Sequence, residues 1–178
     1  TNALPLDEDI IRTIKGGVPG TAMPAWDRIL SDEIINSLVA YIKTFSDRFG
    51  MELPKRKIII GMEPPFDDLS IAHGEKIYKK LRCGKCHGEN GEKEGELSKI
   101  LKLFQDTTWF VYDLSRTAFY KGGSSGVDIY RTLTTGLDGS PMNAYDYISD
   151  FERWNLVHYL QSLHRVKRKK KFSTIKKI

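Results

Sequence analysis

Leu156, Val157, Leu160 and Leu163 stand one, three and three residues apart, and Leu38, Val39, Ile42 and Phe45 repeat that spacing. A stripe of this kind lines one face of a helix and turns it toward a core. The pattern predicts helices near 150–164 and 32–46, with others near 70–84, 127–135 and 8–15. Ser149-Asp150-Phe151-Glu152 has the form of a capping box at the head of the first, and Ser31 or Asp32 can cap the second. Residues 51–69 hold Pro54, Pro64 and Pro65 and few helix signals, so they read as a linker.

The two stripes belong to a longer repeat. Asp9-Ile10-Ile11-Arg12-Thr13-Ile14 matches Asp128-Ile129-Tyr130-Arg131-Thr132-Leu133, Gly17 and Gly20 match Gly136 and Gly139, and Met23 matches Met142 at an offset of 119. After a one-residue gap Ser31 aligns with Ser149, Leu38-Val39 with Leu156-Val157, and Tyr41-Ile42 with Tyr159-Leu160. Two copies of one supersecondary unit explain the match.

What precedes the second copy carries the chemistry. The two cysteines of the 178-residue chain, Cys83 and Cys86, are followed directly by His87. C-x-x-C-H is the local signature of a covalently attached c-type haem. Each thiol adds to one porphyrin vinyl group, the two-residue spacer matches the vinyl separation, and His87 follows where its imidazole can reach the iron. A thioredoxin-like reading needs a βαβ context that the flanks lack. A structural zinc site needs four ligands, and the other histidines, His73, His158 and His164, are scattered. A Cys83–Cys86 disulfide would leave His87 unexplained.

Composition and charge narrow the setting. Hydrophobic residues at 40% and charged residues at 29% are ordinary for a globular chain of one domain or two small ones. No apolar run approaches the roughly 18 residues of a membrane span. Haem c is attached outside the cytoplasm in bacteria, and Thr1-Asn2-Ala3-Leu4-Pro5 has no leader character, so the numbering is expected to start after processing, in a periplasmic or equivalent compartment. The net charge of +5 gathers in residues 165–171 and Lys176-Lys177. Such a run is either a solvated tail or a basic surface that steers association with an acidic partner or anionic membrane surface. Nucleic acid is not expected of an exported protein.

The chain resembles the class I c-type cytochromes, and within them the two-domain, di-haem electron-transfer members. Gly74, Tyr78, Cys83-Gly84-Lys85-Cys86-His87-Gly88, Gly136-Leu137-Asp138-Gly139-Ser140-Pro141-Met142 and residues 154–163 carry the resemblance. It implies an all-α fold wrapped around the porphyrin, with the Gly74 helix crossing the last helix near Tyr159. It also implies His87 and Met142 as axial iron ligands, in preference to Met51, Met62, His73, His158 or His164. A thioether favours ferrous iron relative to a second histidine, and two protein ligands leave no position for a substrate. Phe104, Trp109, Phe110, Tyr112, Phe119 and Tyr120 are expected to pack the porphyrin edge, and Trp109, Tyr112 or Arg116 to hydrogen-bond a propionate.

The organisation expected is residues 1–50 as the C-terminal half of a cytochrome c domain without its own C-x-x-C-H, 51–69 as linker, 70–165 as a complete haem domain and 166–178 as a basic tail. Met23 lies in a loop, Val18-Pro19-Gly20-Thr21-Ala22-Met23-Pro24, that keeps the distal pattern. Residues 1–50 are therefore expected to complete a second haem site with a partner polypeptide carrying the missing half, Met23 binding its iron. A haemless remnant, or a domain divided by where the chain was cut, are the plainer accounts. The function implied is electron transfer with redox protein partners, as a carrier or the cytochrome subunit of a larger oxidoreductase, and not catalysis. A haem enzyme of peroxidase or nitrogen-oxide chemistry, or a gas-sensing module, is the alternative.

Overall fold

In the computed structural model residues 4–53, 57–93, 95–103, 111–116 and 120–175 are described. Among them the chain is all-α, with no strand: α1 (Asp7–Gly16), α2 (Asp32–Lys43), α3 (Arg48–Met51), α4 (Asp68–Lys80), α5 (Gly84–His87), α6 (Glu96–Leu103), α7 (Gly126–Thr135) and α8 (Asp150–Ile175). They fall into two compact units, Thr1–Ile59 and Ile60–Ile178.

In the first unit α1 packs on α2. The Ser31 hydroxyl accepts from the Ile34 N–H at 3.4 Å and starts α2. Ile14, Ile35 and Val39 form the buried core, with Met23, Trp26, Leu38 and Ile42 packed against it. Three fully buried apolar side chains make a small core.

The second unit is built on α8. Trp154, Leu156, Val157, Tyr159 and Leu160 are buried along it, and both α4 and α7 pack there. At the α4 crossing a Cβ on Gly74 would run into the Asn155 carbonyl and the Tyr159 Cβ, so only glycine lets the two backbones meet. One turn on, the Tyr78 and Tyr159 rings lie 5.3 Å apart. On the α7 side the Tyr130 and Trp154 rings are 5.0 Å apart. The segment before α4, read from the sequence as linker, is held to this unit. Trp154 Nε1 donates to the Gly61 carbonyl at 2.8 Å, and buried His158 joins Ser70 Oγ at 2.9 Å to Glu63 Oε1 at 3.2 Å.

Helix ends depart from the periodicity where local turns take over. α4 stops at Lys80, short of 84, because Cys83 N–H returns to the Tyr78 carbonyl (3.1 Å) and Arg82 N–H to the Lys79 carbonyl (3.0 Å). These two bonds are a Schellman cap. α8 runs to Ile175, through the basic stretch expected as a tail, since lysine and arginine propagate a helix well and neither glycine nor proline interrupts it. α6 follows Gly95, whose missing side chain lets it lie on the Lys85 and Cys86 backbone.

Gly74→Ala places a methyl group against a carbonyl that cannot move without bending α8. Chemical denaturation followed by helical circular dichroism should show the second unit destabilised by about 2–3 kcal/mol.

Candidate functional site

Cys83, Cys86 and His87 lie in one turn. Cys83 caps α5, its carbonyl accepts from Cys86 N–H (3.2 Å) and His87 N–H (3.0 Å), and Gly88 leaves the helix with φ of 78°. The Tyr78 hydroxyl donates to the Gly88 carbonyl at 2.7 Å, fastening the end of this turn to α4. The turn is thus fixed at both ends to the helix that crosses α8.

His87 has a defined proton. Its Nδ1 lies 3.2 Å from the Tyr112 carbonyl, which can only accept, so Nδ1 carries the hydrogen and Nε2 keeps its lone pair. Burial pushes the His87 pKa down, against the smaller raising effect of the Tyr112 carbonyl, so the ring is the neutral form that a metal binds. Cys83 and Cys86 are not joined to each other in a disulfide. Burial pushes Cys83 up to about 11 and raises Cys86 as well. A dithiol redox centre works with a lowered thiol pKa, so the environment is the opposite of a thioredoxin-like site. Among the described residues no group of three His, Cys, Asp or Glu side chains is arranged to hold a metal ion. Two half-buried thiols and a neutral imidazole with Nε2 free to ligate fit a thioether-tethered haem.

Met142 ends a loop that closes on itself. Leu137 N–H donates to the Met142 carbonyl (3.2 Å), Ser140 N–H and Oγ both donate to the Leu137 carbonyl (3.1 and 2.7 Å), and Met142 N–H donates to Ser140 Oγ (3.2 Å). Gly136, at φ 69°, has the Met142 carbonyl and the Asn143–Ala144 peptide where a Cβ would go. Met142 and Cys83 both pack against the same core cluster of the second unit.

The first unit builds the same loop. Val18 N–H donates to the Met23 carbonyl (3.0 Å), Thr21 N–H and Oγ1 to the Val18 carbonyl (3.1 and 2.7 Å), and Met23 N–H to Thr21 Oγ1 (3.2 Å). Gly17, at φ 65°, is crowded by Met23, Pro24 and Ala25 just as Gly136 is by its neighbours. Beyond the loop, Trp26 N–H reaches the Ile14 carbonyl as Tyr145 N–H reaches that of Leu133. The sequence repeat is a repeat of hydrogen bonds.

Other expected site residues are dispersed. Tyr112 contributes its carbonyl to His87, while its ring lies 5.4 Å from the Lys121 ammonium. Arg116 is exposed beside the Asp113 turn. Trp109, with Phe104, Phe110 and Phe119, lies outside the described residues. Of the rival ligands, His158 is committed to Ser70 and Glu63, His164 Nδ1 to the Ser115 carbonyl at 3.1 Å, and Met51 and Met62 are solvent-exposed. Two contributors escaped the sequence reading. The Tyr145 hydroxyl hydrogen-bonds Cys83, and its aromatic counterpart Trp26 in the repeat was the available signal. Arg82, at φ 57°, takes the left-handed position of the Schellman cap that delivers Cys83; with arginine in place of the usual glycine, nothing in the sequence marked it.

The family model for Cytochrome c matches residues 71–164. Among solved structures, a chain of the reducing HAO-like protein complex of Kuenenia stuttgartiensis, a two-component complex, is similar at 38% identity. That likeness has a TM-score of 0.80 and covers 91% of this chain and 74% of that one.

Arg82→Gly relieves the steric cost of a left-handed arginine without touching a hydrogen bond. The denaturation midpoint should rise by the equivalent of about 1 kcal/mol with an unchanged slope.

Proposed function

The chain belongs to the cytochrome c family, and from that we propose that it passes single electrons through a haem c held by Cys83 and Cys86, with His87 and Met142 as axial ligands. One observation carries this reading: Cys83 and the Gly-closed Met142 loop rest on one core cluster, with the His87 imidazole neutral and oriented by the Tyr112 carbonyl. A bound haem would supply the reversible ferric–ferrous couple. The protein's part is to hold that couple still. The Tyr112 carbonyl fixes the imidazole, and the glycine loop fixes the thioether, so little rearranges when the charge changes. Met142 raises the potential relative to a second histidine. With His87 and Met142 both bound to it, the iron would have no place for a substrate, which favours a carrier or electron-transfer subunit over catalysis.

The first unit extends the proposal to a second haem. Met23 sits in a loop with the same hydrogen bonds as the Met142 loop, which supports it as an axial ligand to that second haem. The similarity to a chain of a two-component HAO-like complex supports a role as the cytochrome subunit of a larger oxidoreductase. No described helix is long and apolar enough to cross a membrane, and haem attachment supports an extracytoplasmic, periplasm-like setting. The basic residues at 165–171 favour redox partners with an acidic or anionic docking surface. Tyr112, Trp109 and Arg116 remain the proposed haem contacts.

Met142→His should lower the midpoint potential by on the order of 100 mV in a spectroelectrochemical titration. Met142→Ala should turn a ferrous protein that is slow to bind carbon monoxide into one that binds it rapidly. If the unsubstituted protein already binds carbon monoxide as fast as the alanine variant, the sixth position is open and the carrier reading fails.

A further inference from the structure

Residues 61–66 approach α4 as a strap fastened to α8 at two polar points one helical turn apart. Trp154 Nε1 donates to the Gly61 carbonyl at 2.8 Å, and the half-exposed Glu63 carboxylate reaches His158 Nε2 at 3.2 Å. Between them Met62 is 93% exposed, whereas His158 is fully buried. The strap lays the Phe66 ring 4.8 Å from the imidazole, and α8 places the Trp154 ring at 6.1 Å. From α4, Ser70 Oγ stands 2.9 Å from His158 Nδ1, while the Asp67 carboxylate is turned to the Ser70 N–H at 2.7 Å. The guanidinium of Arg153, on the same helix, is taken up by Tyr130 and Asp150. The charged group on the ring is therefore Glu63.

A carboxylate only accepts, so Nε2 carries a hydrogen whether the ring is neutral or charged. The change falls on Nδ1. In the neutral ring Nδ1 accepts the Ser70 hydroxyl; in the charged ring it donates to that oxygen, and the hydroxyl hydrogen needs another acceptor. The Asp67 carbonyl, 2.9 Å from Ser70 Oγ, supplies it. Burial alone favours the neutral ring, but here a proton enters without leaving a polar group unpaired, and it turns the Glu63 hydrogen bond into an ion pair. We infer that Glu63, His158 and Ser70 form a proton-operated latch: proton uptake by His158 fastens residues 61–66 to α8, and proton loss loosens them. The docked strap gives the charged ring a partner that the open strap withdraws, so by linkage docking is favoured below the His158 titration and weakened above it. The strap lies just inside the second unit, which begins at Ile60. Each residue released therefore lengthens the free passage from the first unit by up to about 3.5 Å.

The test uses the full haem-loaded protein in its ferrous, diamagnetic form, followed by nuclear magnetic resonance. The Trp154 indole N–H reports the strap, because opening at Gly61 frees it to exchange with solvent; its exchange rate, corrected for hydroxide catalysis, gives the open fraction. Between about pH 8 and pH 5 that fraction should fall about threefold to tenfold, in step with the His158 ring shifts that follow its protonation. Glu63→Gln keeps an acceptor for Nε2 and removes the charge. It should cut the response below about twofold and leave the haem absorption bands in place. Glu63→Lys sets a cation against the ring and should reverse the sign, the strap opening on acidification. An imidazole that keeps one protonation state across this range overturns the inference. So does an open fraction indifferent to pH, or a response that survives Glu63→Gln intact.

Discussion

The approach of α4 to α8 at Gly74 is the contact on which the site depends. Backbone meets backbone there because no side chain intervenes, and α4 is thereby fixed in position along α8. Everything downstream inherits that position. The Schellman cap at Arg82 turns the chain out of α4 within two residues, the Cys83–His87 turn follows at once, and the Tyr78 hydroxyl returns to Gly88 to close it. His87 is then oriented by the Tyr112 carbonyl. A side chain on Gly74 would therefore be felt at the imidazole, though the two residues are separated in sequence by more than three helical turns.

The methionine loops obey a different logic, since they are closed by their own short-range bonds. A left-handed glycine, a hydroxyl two residues before the methionine and a carbonyl that receives two donors recur in both units with nearly equal distances. Thr21 and Ser140 are interchangeable because only the hydroxyl is used. Such a loop forms wherever its few residues occur, whatever stands opposite. That independence is why the first unit can present Met23 in the same form as the second presents Met142.

These two logics explain what could be read from the sequence. Amphipathic stripes, the Ser149–Glu152 cap, the repeat and the C-x-x-C-H turn are local and written in residue types, and the helices stand where the stripes put them. The end of α4 was not legible, because the left-handed residue that stops it is Arg82 and carries no glycine signature. The Tyr112 carbonyl was not legible either, as a backbone acceptor is common to every residue. Residues 61–66 looked like linker because prolines mask docking. Their attachment runs through Trp154, His158 and Ser70, partners far away in the sequence.

The support beneath the two loops differs in a way that is internally consistent. In the second unit buried Arg153 donates to Tyr130, to Asp150 and to the carbonyls of Tyr145, Asp146 and Ile148, bracing the chain just past Met142. The aligned residue in the first unit is Ile35, and Tyr130 aligns with Ile11. A guanidinium could be buried there only with its partners, and the hydroxyl partner is absent, so the exchange of Arg and Tyr for two isoleucines removes donor and acceptor together. Asp32, which aligns with Asp150, is correspondingly released to pair with Lys15 at 2.6 Å. The braced loop is the one in the unit that carries the C-x-x-C-H turn. The unit with the apolar substitute leaves its loop held by local bonds and a three-residue core.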